Sequence, residues 1–329
     1  MNFVNHRSTT KGSAARGDAA AAGQLRGVLF FPVTPFGLDG EVNVEALRAH
    51  VARGASAGPG AVFAACGTGE FNALEPGEFE TVVRVAVEAV AGRVPVYAGC
   101  GGALPLARRF AAAAARAGAD GLLLLPPYLV SCPPEGIANY VEQVAAATAL
   151  PIIVYQRNNA VFTPETAVQV ARLPNVVGFK DGLGNLDAMQ RIVLAVRGAL
   201  GGKPFQFFNG MPTAEMSQLA YRAIGVPLYS SAVFCFAPEV ALAFHAAVEA
   251  GDQARVDALL ERFYAPLVAL RNKVPGYAVS LVKAATELGG IATGSVRAPL
   301  VPPAPKHVEE LKRIIAAGRA LVEQPGKHA

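Results

Sequence analysis

Short and nearly continuous apolar runs recur along the chain, separated by longer segments whose apolar positions fall at helical spacing. Eight such runs stand out: Gly27–Val33, Ala61–Ala65, Pro95–Gly99, Gly121–Leu125, Pro151–Tyr155, Val176–Lys180, Pro204–Phe208 and Val226–Ser230. Val44–Ser56, Pro76–Ala91, Leu104–Ala117, Glu135–Thr148 and Thr213–Ala223 read as amphipathic helices between them. Pro76 and Pro164 sit where a first helical turn tolerates a missing N–H, and Gly92 and Gly118 sit where a helix would stop. Runs that are apolar throughout, with no polar alternation, fit parallel strands buried on both faces. Eight strand–helix units predict an α/β chain folded as a (β/α)8 TIM barrel. Beyond the eighth run, Ala237–Ala250 completes the barrel. Gln253–Leu270, Ala278–Leu288 and Lys306–Val322 form a C-terminal helical appendage. The expected division is a disordered tail over 1–24, a catalytic barrel over 25–250 and an extension over 251–329 packed on the barrel.

Composition narrows the reading. Of 329 residues, 52% are hydrophobic and 16% charged, which excludes an intrinsically disordered chain. The net charge of +4 is spread along the chain, without a basic cluster or interleaved aromatics, so nucleic acid is not an expected partner. No run approaches the roughly 18 apolar residues of a membrane span, and no membrane partner is expected. The basic, Ser/Ala-rich start lacks the apolar core of a secretory signal; it reads as a tail, with an organellar transit segment as the alternative. The cysteines, Cys66, Cys100, Cys132 and Cys235, show no CxxC pairing and read as free thiols of a cytoplasmic protein.

In a barrel of this kind the chemistry sits at the C-terminal ends of the strands. Lys180 ends the run Val176-Val177-Gly178-Phe179, where an ammonium would enter a mouth lined by apolar groups. Burial there lowers a lysine pKa, the condition for a Schiff-base nucleophile. The alternative is a lysine that caps the strand and pairs with Asp181. Tyr155 ends the preceding run, either as a proton donor and acceptor beside Lys180 or as a core aromatic. Gly67-Thr68 offers backbone N–H groups and a hydroxyl suited to a carboxylate, and Arg157 a cation for a second one. Gly210, Ser230 and Ser231, at the ends of the last two runs, complete the candidate substrate contacts. No histidine ends a strand, which speaks against a His-ligated metal, and no phosphate-cradling glycine motif is present; neither metal nor cofactor is expected.

These strand ends carry a resemblance that runs from about Gly27 past Pro299. Cys66-Gly67-Thr68-Gly69-Glu70-Phe71, Pro126-Pro127-Tyr128-Leu129, Tyr155-Gln156-Arg157-Asn158-Asn159-Ala160 and Gly178-Phe179-Lys180-Asp181-Gly182 make the chain similar to the dihydrodipicolinate synthase and N-acetylneuraminate lyase superfamily of lysine-dependent barrels. The FKDG form, Asn209-Gly210-Met211-Pro212-Thr213-Ala214-Glu215 and the stretch Val296-Arg297-Ala298-Pro299-Leu300 resemble its dehydratase branch. The resemblance implies Lys180 as Schiff-base lysine, Tyr155 as its acid/base partner and Thr68 as holder of the α-keto carboxylate. It also implies a keto-deoxy sugar diacid as substrate and a homo-oligomer, a tetramer built from dimers. Three positions depart from the aldolase-type and synthase members. Gly67 stands for a hydroxyl residue, Leu129 for a second tyrosine that reaches a neighbouring subunit, and Ala160 for a carboxylate-binding arginine. These departures speak against dihydrodipicolinate synthesis, and the resemblance to the dehydratase branch implies loss of water and carbon dioxide; a lysine-dependent aldolase and a non-catalytic keto-acid sensor are the rivals.

Overall fold

The computed structural model describes residues 24–128 and 130–323. The expected tail over 1–24 lies outside the described residues except for Gln24. From Leu25 onward the chain is held in place. The Leu25 N–H donates to Gln206 Oε1 at 2.9 Å, and Gln206 Nε2 donates back to the Leu25 carbonyl at 2.8 Å.

The strands are β1 (Leu29–Phe30), β2 (Ala61–Ala64), β3 (Val96–Cys100), β4 (Gly121–Leu124), β5 (Ile152–Gln156), β6 (Val176–Asp181), β7 (Gln206–Asn209) and β8 (Leu228–Ser231). Each pairs in parallel with the next, and β8 pairs with β1, so the sheet is a closed eight-stranded barrel. The helices α1 (Val44–Ser56), α2 (Pro76–Val90), α3 (Leu104–Arg116), α4 (Pro134–Ala145), α5 (Pro164–Ala171), α6 (Leu186–Leu200), α7 (Gln218–Ala223) and α8 (Pro238–Ala250) alternate with them. Together they make a (β/α)8 TIM barrel. Local chemistry starts several of these helices. Asn43 and Asn185 accept from the N–H groups of Ala46 and Ala188 at 3.0 and 3.1 Å, and prolines open α2, α4, α5 and α8.

Beyond the barrel lie α9 (Gln253–Leu259), α10 (Ala265–Arg271), α11 (Tyr277–Leu288) and α12 (Pro305–Glu323). Three expected elements come out differently. β1 is shorter than its apolar run, because Gly27 takes a positive φ of 67° and Pro32 has no N–H to give the ladder. The segment Gln253–Leu270 is interrupted by a π-turn at Leu260–Tyr264. Pro266 cannot bond back to Arg262, and the wider turn makes room for its ring. Thr213–Ala223 opens with a 3-10 turn, Ala214–Ser217, after Thr213 at φ 53°. Among the described residues no helix is long and apolar enough to cross a membrane.

A buried ion pair helps to tie the C-terminal helices to the C-terminal end of the barrel strands. Lys283 of α11 donates to Glu70 Oε1 at 2.8 Å, with both side chains 1% exposed. The Arg297 backbone N–H donates to the other carboxylate oxygen at 2.9 Å. Glu70 therefore ties the β2 loop, Gly67–Glu70, to α11 and to the segment that leads into α12.

Candidate active site

A cavity of about 770 Å³ opens at the C-terminal ends of the strands, and Lys180 lies in it. The barrel supplies one side, with Phe31, Leu123, Leu125 and Tyr155. Helices α10 and α11 supply another, through Leu267, Arg271, Tyr277 and Leu281. The appendage is thus part of the site's wall.

Lys180 takes part in no ion pair among the described residues. Asp181, its neighbour, points to the opposite face of β6, as strand alternation requires. There Asp181 Oδ1 accepts from Gln156 Nε2 at 2.7 Å and from the Leu183 N–H at 3.1 Å, and Oδ2 accepts from the Tyr221 hydroxyl. Capping and pairing with Asp181 is therefore not what Lys180 does. Its Nζ lies 4.2 Å from the centre of the Phe31 ring and 4.7 Å from that of Tyr155. Burial pushes its pKa down to about 7, and the charge of the nearby Arg157 adds to this. The Cys66 thiol is pushed up to about 12 by burial and stays neutral. At neutral pH a large share of Lys180 is free amine, the form that attacks a carbonyl.

Tyr155 pairs in register with Lys180 across β5 and β6, so both side chains leave the sheet on the same face. Its hydroxyl donates to the Gly210 carbonyl at 2.8 Å and accepts from Arg157 Nη1 at 3.1 Å. Burial raises the Tyr155 pKa, while the Arg157 charge and hydrogen bond pull it back. Two glycines permit this approach. A Cβ on Gly210 would lie 2.6 Å from Lys180 Cε, and one on Gly182 would lie 2.8 Å from the Tyr155 hydroxyl oxygen.

Gly67, Thr68, Arg157, Gly210 and Ser230 line the same cavity as Lys180 and Tyr155. The Gly67–Thr68 turn is fixed from behind by Thr34, whose Oγ1 donates to the Gly69 carbonyl at 2.7 Å. Gly67 faces open space, with no atom within 4 Å of where a Cβ would stand. Ser231 is the exception. It is fully buried on the outer face of β8, where its Oγ donates to Glu215 Oε1 at 2.6 Å. Adjacent residues of a strand face opposite ways, so only one of the two serines can reach the cavity. The departure at Leu129 lies outside the described residues.

Several site residues carry no sequence signal of their own. Phe31 and the α11 residues are apolar positions within apolar patterns. Glu215, outside the cavity behind β8, is buried with one carboxylate oxygen unpartnered, and burial raises its pKa to about 7. The NGMPTAE stretch contains Glu215, but nothing in that string shows that the side chain turns behind β8.

The family model for the dihydrodipicolinate synthetase family matches residues 24–318. The chain is 60% identical over 298 residues to a protein of Streptomyces coelicolor named probable 5-dehydro-4-deoxyglucarate dehydratase 1, covering 91% of this chain and 94% of that one. It is 57% identical over 306 residues to a protein of Streptomyces griseus named probable 5-dehydro-4-deoxyglucarate dehydratase, covering 93% and 96%. The crystal structure of dihydrodipicolinate synthase from Oceanobacillus iheyensis superposes with a TM-score of 0.82 at 25% identity, covering 89% of this chain and 96% of that one. A barrel that buries an unpaired lysine beside a tyrosine at adjacent strand ends is thus matched in sequence over nearly its whole length: the chain belongs to the dihydrodipicolinate synthetase family.

Proposed function

We propose that the protein is a Schiff-base lyase, a decarboxylating dehydratase that converts 5-dehydro-4-deoxyglucarate into 2,5-dioxopentanoate, carbon dioxide and water. The observation that carries this reading is Lys180, buried without a counter-ion and in register with Tyr155. The names of the relatives at 57–60% identity support the substrate.

The steps follow from the chemistry of an iminium. With C1 as the carboxylate beside the ketone, the neutral Lys180 amine adds to C2. The carbonyl oxygen leaves as water, and a protonated imine remains. This electron sink acidifies C3, and Tyr155 or a water it orients shuttles the proton. The C4 hydroxyl then departs as water, leaving a conjugated iminium. The C5–C6 bond breaks, carbon dioxide leaves, and its electron pair runs through the conjugated system to nitrogen as a dienamine. Its C5 enol gives up its hydroxyl proton to become the aldehyde. Protons are taken up at C4 and C3, and water releases the product and the free amine.

In this reading Thr68 and the Gly67 turn hold the C1 carboxylate. Arg157 keeps one N–H on Tyr155 and offers the others to the far carboxylate, and Gly210 and Ser230 border the substrate. Barrel 25–250 and extension 251–329 act as one catalytic unit, because α10 and α11 complete the cavity wall. The scheme needs a small-molecule diacid and no metal or cofactor. A homo-oligomer, a tetramer by family resemblance, and a cytoplasmic location belong to the same reading.

The test is incubation with 5-dehydro-4-deoxyglucarate, following carbon dioxide and 2,5-dioxopentanoate together, with borohydride added to trap the imine on Lys180. Equimolar release of the two products supports the proposal. Pyruvate in their place assigns an aldolase, and binding without turnover assigns a keto-acid sensor.

A further inference from the structure

The proposed reaction creates a positive charge on the Lys180 nitrogen when the imine forms, and again when the C4 hydroxyl leaves. No carboxylate is paired with that nitrogen among the described residues, and Lys180 is only 5% exposed. What faces it is aromatic. Phe31, which directly follows β1, places its ring centre 4.2 Å from Nζ. The ring is held from behind by a stack: it lies on Phe63 of β2 at 4.5 Å and an interplanar angle of 10°, and Phe63 lies on Tyr97 of β3 at 5.1 Å and 21°. Phe31 is 4% exposed and lines the cavity. A core phenylalanine needs neither position. This one is a fixed π-face aimed at the reacting atom.

We propose that Phe31 is a catalytic residue whose ring face stabilises the Lys180 iminium. The claim deepens the Schiff-base reading and rests on it. An aromatic face attracts a cation through its quadrupole, and the attraction grows when water is excluded. Above about pH 7 the resting amine is mostly neutral, so the ring gains little from the free enzyme and much from the imine. An interaction that strengthens as the charge forms lowers the barrier, whereas one equally strong beforehand would not. An apolar ring also leaves the amine neutral for the attack, which a carboxylate at the same place would not.

Phenylalanines bearing one, two and three ring fluorines at position 31 withdraw charge from the π-face at nearly constant shape. They are compared one pH unit above the Lys180 pKa, by turnover and by the fraction of imine trapped with borohydride during turnover of 5-dehydro-4-deoxyglucarate. A stepwise fall reaching about fivefold with three fluorines, with the melting temperature unchanged, is the expected result. Phe31→Leu should lose about tenfold; should it fail to fold, the fluorine series still decides. A flat series in protein that forms the imine overturns the role of Phe31 and leaves the Schiff-base reading standing. Absence of any trapped adduct in the unaltered protein overturns both.

Discussion

Lys180 and Lys283 are both buried and both lie over a phenylalanine ring, at 4.2 Å from Phe31 and 3.9 Å from Phe36 respectively. They differ in their partners: Lys283 has a carboxylate at 2.8 Å, and Lys180 has none among the described residues. Burial pushes both pKa values down, but at Lys283 the hydrogen bond and charge of Glu70 work against it. The pair teaches that the missing partner is what makes a buried lysine chemically useful. A paired ammonium is a clamp; an unpaired one relieves its desolvation by giving up the proton, and the amine that results is a nucleophile.

Removing each lysine should therefore produce opposite outcomes. Lys180→Met is expected to lower turnover by about 10⁴-fold or more, the scale seen when a nucleophile is deleted. It should not destabilise the fold, because it removes a buried polar group that has no partner. A pH titration sharpens the point. Between about pH 7 and 10.5 the unfolded chain holds a proton on Lys180 that the folded chain lacks, so wild-type stability rises through that window and the variant should lose this slope. Urea unfolding at several pH values measures it, and an unchanged slope would mean that Lys180 is not neutral when folded.

Lys283→Met comes next in size. It strands the Glu70 carboxylate in the interior, which costs about 3–5 kcal/mol. Adding Glu70→Gln should recover most of that loss, since an uncharged pair no longer carries a buried ion. Turnover should fall in the single variant, because Glu70 ends the loop that carries Thr68. Denaturant midpoints for the two variants check the prediction. Equal stability of single and double variants would show that the ion pair is not what joins α11 to the β2 loop.

The contrast between these lysines is only half legible in the sequence. Lys180 announces itself as a charge that closes an apolar run, and the same runs mark all eight strands, since a strand buried on both faces has no room for polar residues. Lys283 sits within a helical pattern, where a charge reads as solvated. Its partner is 213 residues away, and no local rule brings the two together. Ser230 and Ser231 are indistinguishable as letters, because strand parity is set by where β8 begins. Phe31 is invisible for a related reason: an aromatic within an apolar run looks like any core residue until its distance to Lys180 is known.

The smallest expected effect is the most direct way to break the comparison, by giving Lys180 the partner it lacks. Cys66 is buried close enough for its charge state to bear on Lys180, and as a neutral thiol it contributes no counter-ion. Cys66→Asp would place a carboxylate there and make Lys180 resemble Lys283. A neighbouring negative charge favours the ammonium, so the Lys180 pKa should rise from about 7 by roughly one unit or more. The acid limb of kcat/KM, which reports the free enzyme, should move up by the same amount. At neutral pH turnover should drop about tenfold, and raising the pH should restore much of it. Cys66→Asn, of the same shape without the charge, should leave the limb in place. If the aspartate and asparagine variants share one pH profile, the absence of a counter-ion is not what sets the reactivity of Lys180. If only the aspartate variant shifts, a single carboxylate separates the reactive lysine of this barrel from its structural one.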